Sequence, residues 1–372
     1  MKKSFLFLFL ITLCFSCSED QDNGFEGNLS LAGQFLTPNG EDPISAARVI
    51  LLNNETIVKE STTDGEGKFL FSNLAAGEYT VSLIKGLFSA SRTANLNIDT
   101  DDLDFDIGDI PITDLPNIAV VTGSYDNIET VLYNIGLVNP ITEEPLFDII
   151  EGNNIAGRQM EDSHLHGGHS ANRTNNPLLE PNVDIDFGDL IESPELLASY
   201  DIIFLNCGLN GSKTDFNNNL TDFVFNGGYL YSTDWASSYL SDITNEGEDY
   251  IDFYSPAKSG DSQETVAQIF NEDLQDWFTL NFETEIIDNT VLIDQFLNGW
   301  EVVDSYNEET VTPWLYGPVE YDNIEENKYL AYTFSHGDGG VLYSSFHTKN
   351  STTQSDAVGR LMQYLVFELS DL

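Results

Sequence analysis

One segment of the chain reads Asp201-Ile202-Ile203-Phe204-Leu205-Asn206-Cys207-Gly208. Its run of consecutive apolar residues lies between polar, turn-forming residues, which is typical of a strand buried on both faces of a parallel sheet. From residue 117 onward, similar short apolar runs alternate with stretches of helical period. The pattern predicts βαβ units, and therefore an α/β domain with a mainly parallel sheet, over residues 117–372.

Two more segments fit this predicted sheet. Gly227-Gly228 ends a helix-like stretch and is followed by the strand Tyr229–Ser232. Gly340–Phe346 is a late strand, and His347 comes directly after it. Open α/β sheets bind ligands at the carboxyl ends of their strands, so the residues that follow these strands are the first candidates for a site.

The three segments resemble the class I glutamine amidotransferase-like fold, which is flavodoxin-like, and in particular the group around trehalose-utilisation proteins. The resemblance implies oxyanion donors near Cys207, a nucleophile at the turn after Ser232, and a catalytic histidine at His347. The chain departs from the family in having Asp234 where the nucleophilic cysteine belongs and Lys349 where a carboxylate belongs. A cysteine nucleophile needs a base and an acid that orients the base. We therefore expect no amide-hydrolysing activity.

Four residues are candidates for a ligand cleft or a catalytic site at this edge: Cys207, Asp234, Trp235 and His347. Asp234 could cap the helix that follows it, because Asp is favoured at that position. It could instead bind a polyol, or act as a general base together with His347. Cys207 is an alternative nucleophile, or a buried thiol that behaves as a small hydrophobe.

A polar segment reads Glu161-Asp162-Ser163-His164-Leu165-His166-Gly167-Gly168-His169 and contains three of the five histidines of the chain. Its three imidazoles could converge on one metal ion if the loop wraps, since imidazole is the commonest zinc ligand. The surrounding Gly, Asn and Ser residues fit a long exposed loop equally well. Two interpretations remain open: a zinc site at His164, His166 and His169, or a polar loop without metal.

Residues 27–112 contain short β-rich runs separated by turn signals, which predicts an all-β sandwich of the transthyretin or immunoglobulin type. Three segments, Pro43–Val49, Thr62–Phe71 and Leu74–Val81, resemble the carboxypeptidase regulatory-like domain. The resemblance implies a spacer, a stability module or a weak glycan-facing module. The acidic run Asp99–Asp109 could hold calcium, but its apolar alternation favours the last strand of the sandwich.

The first residues combine the basic Met1–Lys3, the apolar Phe5–Phe15 and Cys17, with Ser18–Glu26 as an acidic stretch behind them. The apolar run has the length of a signal-peptide core and is too short to span a bilayer. This segment resembles the signal of Bacteroidota-type surface lipoproteins. The resemblance implies a signal peptide over 1–17, a lipid on Cys17, a tether over 18–26, and an outer-membrane protein facing the cell exterior. An ordinary secretory signal is the alternative.

The chain carries 62 acidic and 14 basic residues in 372, for a formal charge of −48. So few Lys and Arg residues cannot form a basic face, which excludes nucleic acid as a partner. The 41% of hydrophobic residues is ample for a packed core.

The sequence favours a non-catalytic surface lipoprotein that binds a carbohydrate or similar ligand at the strand ends. A hydrolase or metal-dependent enzyme that uses Asp234, His347 and the loop His164–His169 is one alternative, and a structural cell-envelope component is another. The expected partners are the outer-membrane lipid anchor, glycans and other envelope proteins. The sequence implies no specific cofactor, and zinc and calcium are the ions that it could hold.

Overall fold

A computed structural model describes residues 27–97, 103–152, 176–209, 217–281, 289–348, 361, 363, 364, 366 and 367. The described part of the chain is mostly β, and its helices are short. No helix among these residues is both long and apolar enough to cross a membrane.

Seven strands come first along the chain: β1 (Leu29–Leu36), β2 (Arg48–Asn53), β3 (Thr56–Thr62), β4 (Lys68–Leu74), β5 (Gly77–Lys85), β6 (Phe88–Leu96) and β7 (Asp104–Pro111). They form a three-stranded sheet in the order β4-β1-β7 and a four-stranded sheet in the order β3-β2-β5-β6. Alternate residues of β5 (Tyr79, Val81 and Leu83) are buried between the sheets, because successive side chains of a strand point to opposite faces. The predicted sandwich strands are present, and the acidic run from Asp104 onward is the strand β7.

The remaining strands are β8 (Ile118–Val121), β9 (Asp148–Ile150), β10 (Ile202–Leu205), β11 (Tyr229–Thr233), β12 (Thr244–Asn245), β13 (Glu248–Asp249), β14 (Ile251–Phe253), β15 (Ser259–Gly260), β16 (Gln263–Ile269), β17 (Thr290–Phe296), β18 (Trp300–Glu301), β19 (Val303–Tyr306), β20 (Val311–Tyr321), β21 (Ile324–His336) and β22 (Gly339–Ser344). The helices are α1 (Ile128–Asn134), α2 (Phe187–Glu192), α3 (Pro194–Leu197), α4 (Asn217–Phe225) and α5 (Glu272–Asn281). Short 3-10 turns cover Pro177–Leu179 and Asp234–Tyr239.

The large sheet has eleven strands, nine of them in the order β17-β16-β20-β21-β22-β11-β10-β8-β9. The five strands from β22 to β9 are parallel, as the apolar runs predict. The strands from β17 to β22 pair antiparallel, so the sheet is mixed rather than mainly parallel. The difference arises after residue 245, where β20, β21 and β22 follow one another as antiparallel hairpins, and where β16 and β17 pair antiparallel with α5 between them in the chain.

Both faces of the parallel strands are covered. In β8, Ile118 and Val120 belong to one hydrophobic cluster, and Ala119 and Val121 belong to another. The first cluster includes residues of α1 and α5, and the second includes residues of α2, α3 and α4. Strands that are buried on both faces read as continuous apolar runs, which explains the composition of β8 and β10.

The sandwich and the large sheet share the first of these clusters. Phe88, at the start of β6, packs edge-on against the ring of Phe367, with 4.7 Å between centroids. Hydrogen bonds also cross the boundary, since Asn39 N–H donates to the carbonyl of Gly136 at 3.2 Å. The hydrophobic core is therefore continuous from one part of the chain to the other.

Candidate functional site

The candidate site lies at the carboxyl ends of three adjacent strands. β10, β11 and β22 are parallel neighbours in register, so the residues that follow them meet at one edge of the sheet. Cys207 comes two residues after β10, Asp234 directly after β11, and His347 three residues after β22. The structure thus brings together these three residues, which are far apart in the sequence.

Asp234 is at the centre of this group. Its Oδ2 lies 3.0 Å from Nε2 of His347 and 3.4 Å from Sγ of Cys207. One ligand atom of each of the three residues lies within 4.8 Å of the other two. All three side chains are buried.

The backbone of Asp234 has a φ of +45°, a conformation that non-glycine residues adopt infrequently. Such strain persists only where the surrounding structure holds it, and it is concentrated at functional sites. The side chain does not cap the turn that follows: the N-cap position is Thr233, and Oδ1 of Asp234 accepts a hydrogen bond from Glu301 N–H at 2.6 Å. The helix-cap interpretation of Asp234 is therefore wrong.

Asp126, which the sequence analysis did not single out, holds the strand ends together. Its Oδ2 accepts from Cys207 N–H at 3.1 Å and from the Thr233 hydroxyl, and its Oδ1 accepts from Thr348 N–H at 2.6 Å and from the Thr348 hydroxyl at 3.0 Å. The carboxylate therefore bridges the segments after β10 and β22 and the last residue of β11. Its position after β8, at the same edge of the sheet, was the signal that could have identified it.

The environment of Cys207 does not suit a nucleophile on its own. Burial raises the pKa of the thiol well above its usual range, and the carboxylates of Asp234 and Asp126 raise it further. Both effects oppose the thiolate, which is the reactive form of cysteine. His347 Nε2 lies against Asp234 in this structure. The arrangement is an Asp-centred cluster rather than a cysteine–histidine pair.

A cleft of about 310 Å³ is lined by Trp235, the residue that follows Asp234, although Asp234 itself is not one of its lining residues. Glu301, a second residue absent from the sequence predictions, lines it and accepts a hydrogen bond from the Ser237 hydroxyl. Burial raises the pKa of Glu301 to about 8, and the nearby Asp234 adds to the rise, while the Ser237 hydrogen bond opposes it. The Glu301 side chain can therefore donate a proton or a hydrogen bond near neutral pH.

The aromatic residues near this edge divide between the core and the cleft. Tyr231 and Tyr239 are core residues with about 1% of their surface exposed, so neither can stack on a ligand. Trp235 is half-buried and lines the cleft, with its indole N–H donating to the carbonyl of Gly299 at 2.7 Å. Of these three aromatic residues, Trp235 is the one that lines the cleft.

The predicted lipidation site Cys17, the segments 1–17 and 18–26, and the predicted metal ligands His164, His166 and His169 lie outside the described residues. Residues Asp99–Asp102 of the acidic run, which could hold calcium, lie outside them as well. These expectations stay predictions.

No family model matches the chain, and no curated protein matches it. Among solved structures, a putative ThuA-like protein from Parabacteroides merdae is 11% identical, with 69% of this chain and 88% of that chain covered and a TM-score of 0.36. A cytoplasmic protein from Salmonella typhimurium is 11% identical, with 69% and 99% covered and a TM-score of 0.38. The 5-hydroxyisourate hydrolase of Klebsiella pneumoniae is 18% identical, with 23% and 91% covered and a TM-score of 0.20. Scores of this size do not establish a family.

Proposed function

We propose that the chain binds a carbohydrate or a similar polyhydroxylated ligand in the cleft beside Asp234. The observation that carries the proposal is the composition of this cleft, which combines apolar and aromatic walls with a few polar groups. Binding sites for small molecules are generally concave and apolar, with a few polar groups that fix orientation. The residues that line the cleft include Trp235, Ser237, Asp249, Tyr250, Phe253 and Glu301.

The cleft offers both kinds of contact that a sugar uses. The faces of Trp235 and Phe253, both half-buried, can pack against the apolar side of a pyranose ring. Ser237, Asp249 and Glu301 supply acceptors and donors for its hydroxyl groups. An elevated Glu301 pKa makes that carboxyl group a donor as well as an acceptor near neutral pH.

Glycan binding by the purified chain tests this function, with Trp235→Ala as the cleft variant and Phe225→Ala as its control. Phe225 is 56% exposed and ends α4, at the opposite edge of the parallel strands. We expect Trp235→Ala to weaken binding about tenfold and Phe225→Ala to leave it unchanged. Equal losses in the two variants, or no binding across a broad glycan array, would contradict the proposal.

A second candidate is a hydrolytic enzyme, and one observation favours it: the ligand atoms of Cys207, Asp234 and His347 lie within 4.8 Å of one another, and the cleft residue Glu301 donates its N–H to Asp234. An enzyme would show turnover of acylated or glycosidic substrates that Asp234→Asn abolishes. If the parent chain shows no turnover and Asp234→Asn still binds the ligand, the binding function is supported and the enzyme is not.

We further propose that the chain is a surface lipoprotein of the outer membrane, held by a lipid on Cys17. The support is the signal-like segment before Cys17 and the acidic stretch after it. Mass spectrometry of the protein from membranes should show an acylated Cys17, and Cys17→Ser should release the protein from the membrane fraction. An unmodified Cys17 in membrane-free protein would contradict this.

A further inference from the structure

The strand-end site carries an excess of buried carboxyl groups. Asp126 and Asp234 are each 2% exposed; Asp126 accepts a hydrogen bond from Cys207 N–H, and Oδ2 of Asp234 lies 3.4 Å from Cys207 Sγ. Among the described residues, the basic group paired with these two carboxylates is His347, which lies beside Asp234. Buried charges generally need partners or a metal ion, because removing a charge from water is costly.

From this cluster we infer that Cys207, Asp234 and His347 together bind one divalent transition-metal ion of the zinc class. The inference concerns an ion and these three ligands, and it does not depend on what the neighbouring cleft binds. It is distinct from the predicted zinc site at His164, His166 and His169, which involves none of these residues.

The distances between the donor atoms fit such an ion. Zinc bonds are about 2.3 Å to a thiolate and about 2.0–2.2 Å to imidazole and carboxylate ligands, so donors in a tetrahedral site lie about 3.3–3.6 Å apart. Oδ2 of Asp234 is 3.0 Å from Nε2 of His347 and 3.4 Å from Sγ of Cys207. The three donor atoms all lie within 4.8 Å of one another, so side-chain movements without a backbone change would complete the three-ligand arrangement.

The ligand types point to the same class of metal. A thiolate and an imidazole favour zinc and its soft neighbours over magnesium and calcium, which prefer oxygen ligands. The Cys207 thiol must lose its proton to bind, and that proton leaves to solvent as the metal–sulfur bond forms. The cation then offsets the two carboxylates that otherwise oppose ionisation of the thiol.

Rigid elements place the three donors. Each donor follows a different strand of the parallel group, and Asp126 fixes the backbone of Cys207 and of Thr348, which adjoins His347. Metal sites built on strand ends in this way need little reorganisation to bind. The three protein ligands would fill three of the four positions that zinc usually takes.

The test uses the chain with Cys14→Ser and Cys17→Ser, which leaves Cys207 as the remaining one of its three cysteines. Chelator-treated protein is dialysed against Zn²⁺ and, separately, against Co²⁺. We expect about one zinc per chain, and with cobalt a thiolate-to-cobalt charge-transfer absorption in the near ultraviolet. Cys207→Ser should lose that absorption, and Asp234→Asn and His347→Gln should each weaken zinc binding at least tenfold.

The variant with His164, His166 and His169 all changed to Ala is the matched control, and it should keep both zinc and the absorption. Zinc that is lost from this variant and retained by Cys207→Ser would overturn the inference. If Cys207→Ser shows no cooperative thermal unfolding, the cobalt spectrum of the parent decides the question alone. A thiolate band then supports the site, and its absence overturns it.

Discussion

Asp126 accepts four hydrogen bonds at the strand ends, so its replacement tests how the site is held. Asp126→Ala should lower the free energy of unfolding by about 2–4 kcal/mol, because the buried N–H and hydroxyl of Thr348 and the hydroxyl of Thr233 lose this acceptor, and Cys207 N–H keeps only the Thr233 hydroxyl. Denaturant unfolding measures the change. Asp252→Ala is the control: Asp252 is exposed and accepts one hydrogen bond, from Ser305 at 3.0 Å, so the loss should be within about 0.5 kcal/mol. Similar losses in the two variants would contradict this role of Asp126.

His336 gives a pH-dependent prediction away from the site. It ends β21 beside the Phe225 and Tyr250 rings, with Asp338 two residues on, and burial lowers its pKa below the ordinary value of 6.5. As the pH falls, His336 therefore takes up a proton at a higher pH in the unfolded chain than in the folded chain. Its contribution to stability is complete above about pH 6.5 and is lost as the pH falls through the folded-state pKa.

We expect the free energy of unfolding of His336→Gln to fall less steeply between about pH 7 and pH 5 than that of the parent chain. Nuclear magnetic resonance of the imidazole, assigned by the same variant, should give a pKa below 6.5. A pKa at or above that value, or parallel stability curves, would show that burial does not control this group.

At the scale of an element, the contact between α4 and β22 depends on a glycine at the start of the strand. A Cβ at Gly339 would lie 2.2 Å from the carbonyl oxygen of Gly228 and 2.3 Å from that of Val224. Gly340 is the matched control on the same strand, because a Cβ there meets the Tyr229 ring at an ordinary 3.4 Å. Gly339→Ala should cost about 2–3 kcal/mol of stability and Gly340→Ala less than about 1 kcal/mol, measured by denaturant unfolding. The reverse order would contradict the close approach of helix and strand.

The parallel strands could be predicted because their signal is local. The apolar run Ile202–Leu205 and the Gly-Gly turn before Tyr229 each identify an element without knowledge of the rest of the chain. The antiparallel strands between residues 245 and 330 could not be placed, since their pairing depends on partners distant in the sequence. One local signal was present: Asp322 and Asn323 both have positive φ in the turn between β20 and β21, as hairpin turns require.

The residues of the candidate site also divide into those that a local sequence pattern identifies and those that it does not. Cys207, Asp234 and His347 could be predicted because each follows a recognisable strand. Asp126 and Glu301 were missed because their importance lies in contacts that form only in three dimensions. Glu301 N–H reaches Asp234 from a strand 67 residues later, which no local pattern indicates.

At the scale of the whole molecule, the charge of −48 should make stability depend on salt. Self-repulsion destabilises a compact acidic chain, and raising the ionic strength from about 0.01 M to 1 M shortens the Debye length from about 30 Å to about 3 Å. We expect the Tm to rise by several degrees over this range, and by equal amounts in NaCl and KCl. A Tm that is constant or falls would show that repulsion does not limit stability.

The continuous core also predicts that the sandwich and the large sheet unfold together, so that the sandwich is not an independently folding spacer. Phe88 of the sandwich is fully buried against Phe367, and the hydrophobic cluster that contains both rings extends into the large sheet. Deleting a buried aromatic ring typically costs about 3–5 kcal/mol. If the parts unfold as one unit, Phe88→Ala should therefore lower the Tm of the entire protein.

Differential scanning calorimetry and hydrogen exchange of the β10 and β11 amides measure this coupling. We expect a single transition in the parent, and a shift of that whole transition in both Phe88→Ala and Phe71→Ala, whose ring lies inside the sandwich beside Phe69. Exchange in β10 and β11 should quicken in both variants, because protection in these strands is then set by unfolding of the whole unit. Two separate transitions, with only the first moved and β10 unaffected, would mean that the sandwich folds independently. Coupled unfolding would also support a constant position of the cleft beside Asp234 relative to the start of β1, because the shared core holds the sandwich against the large sheet.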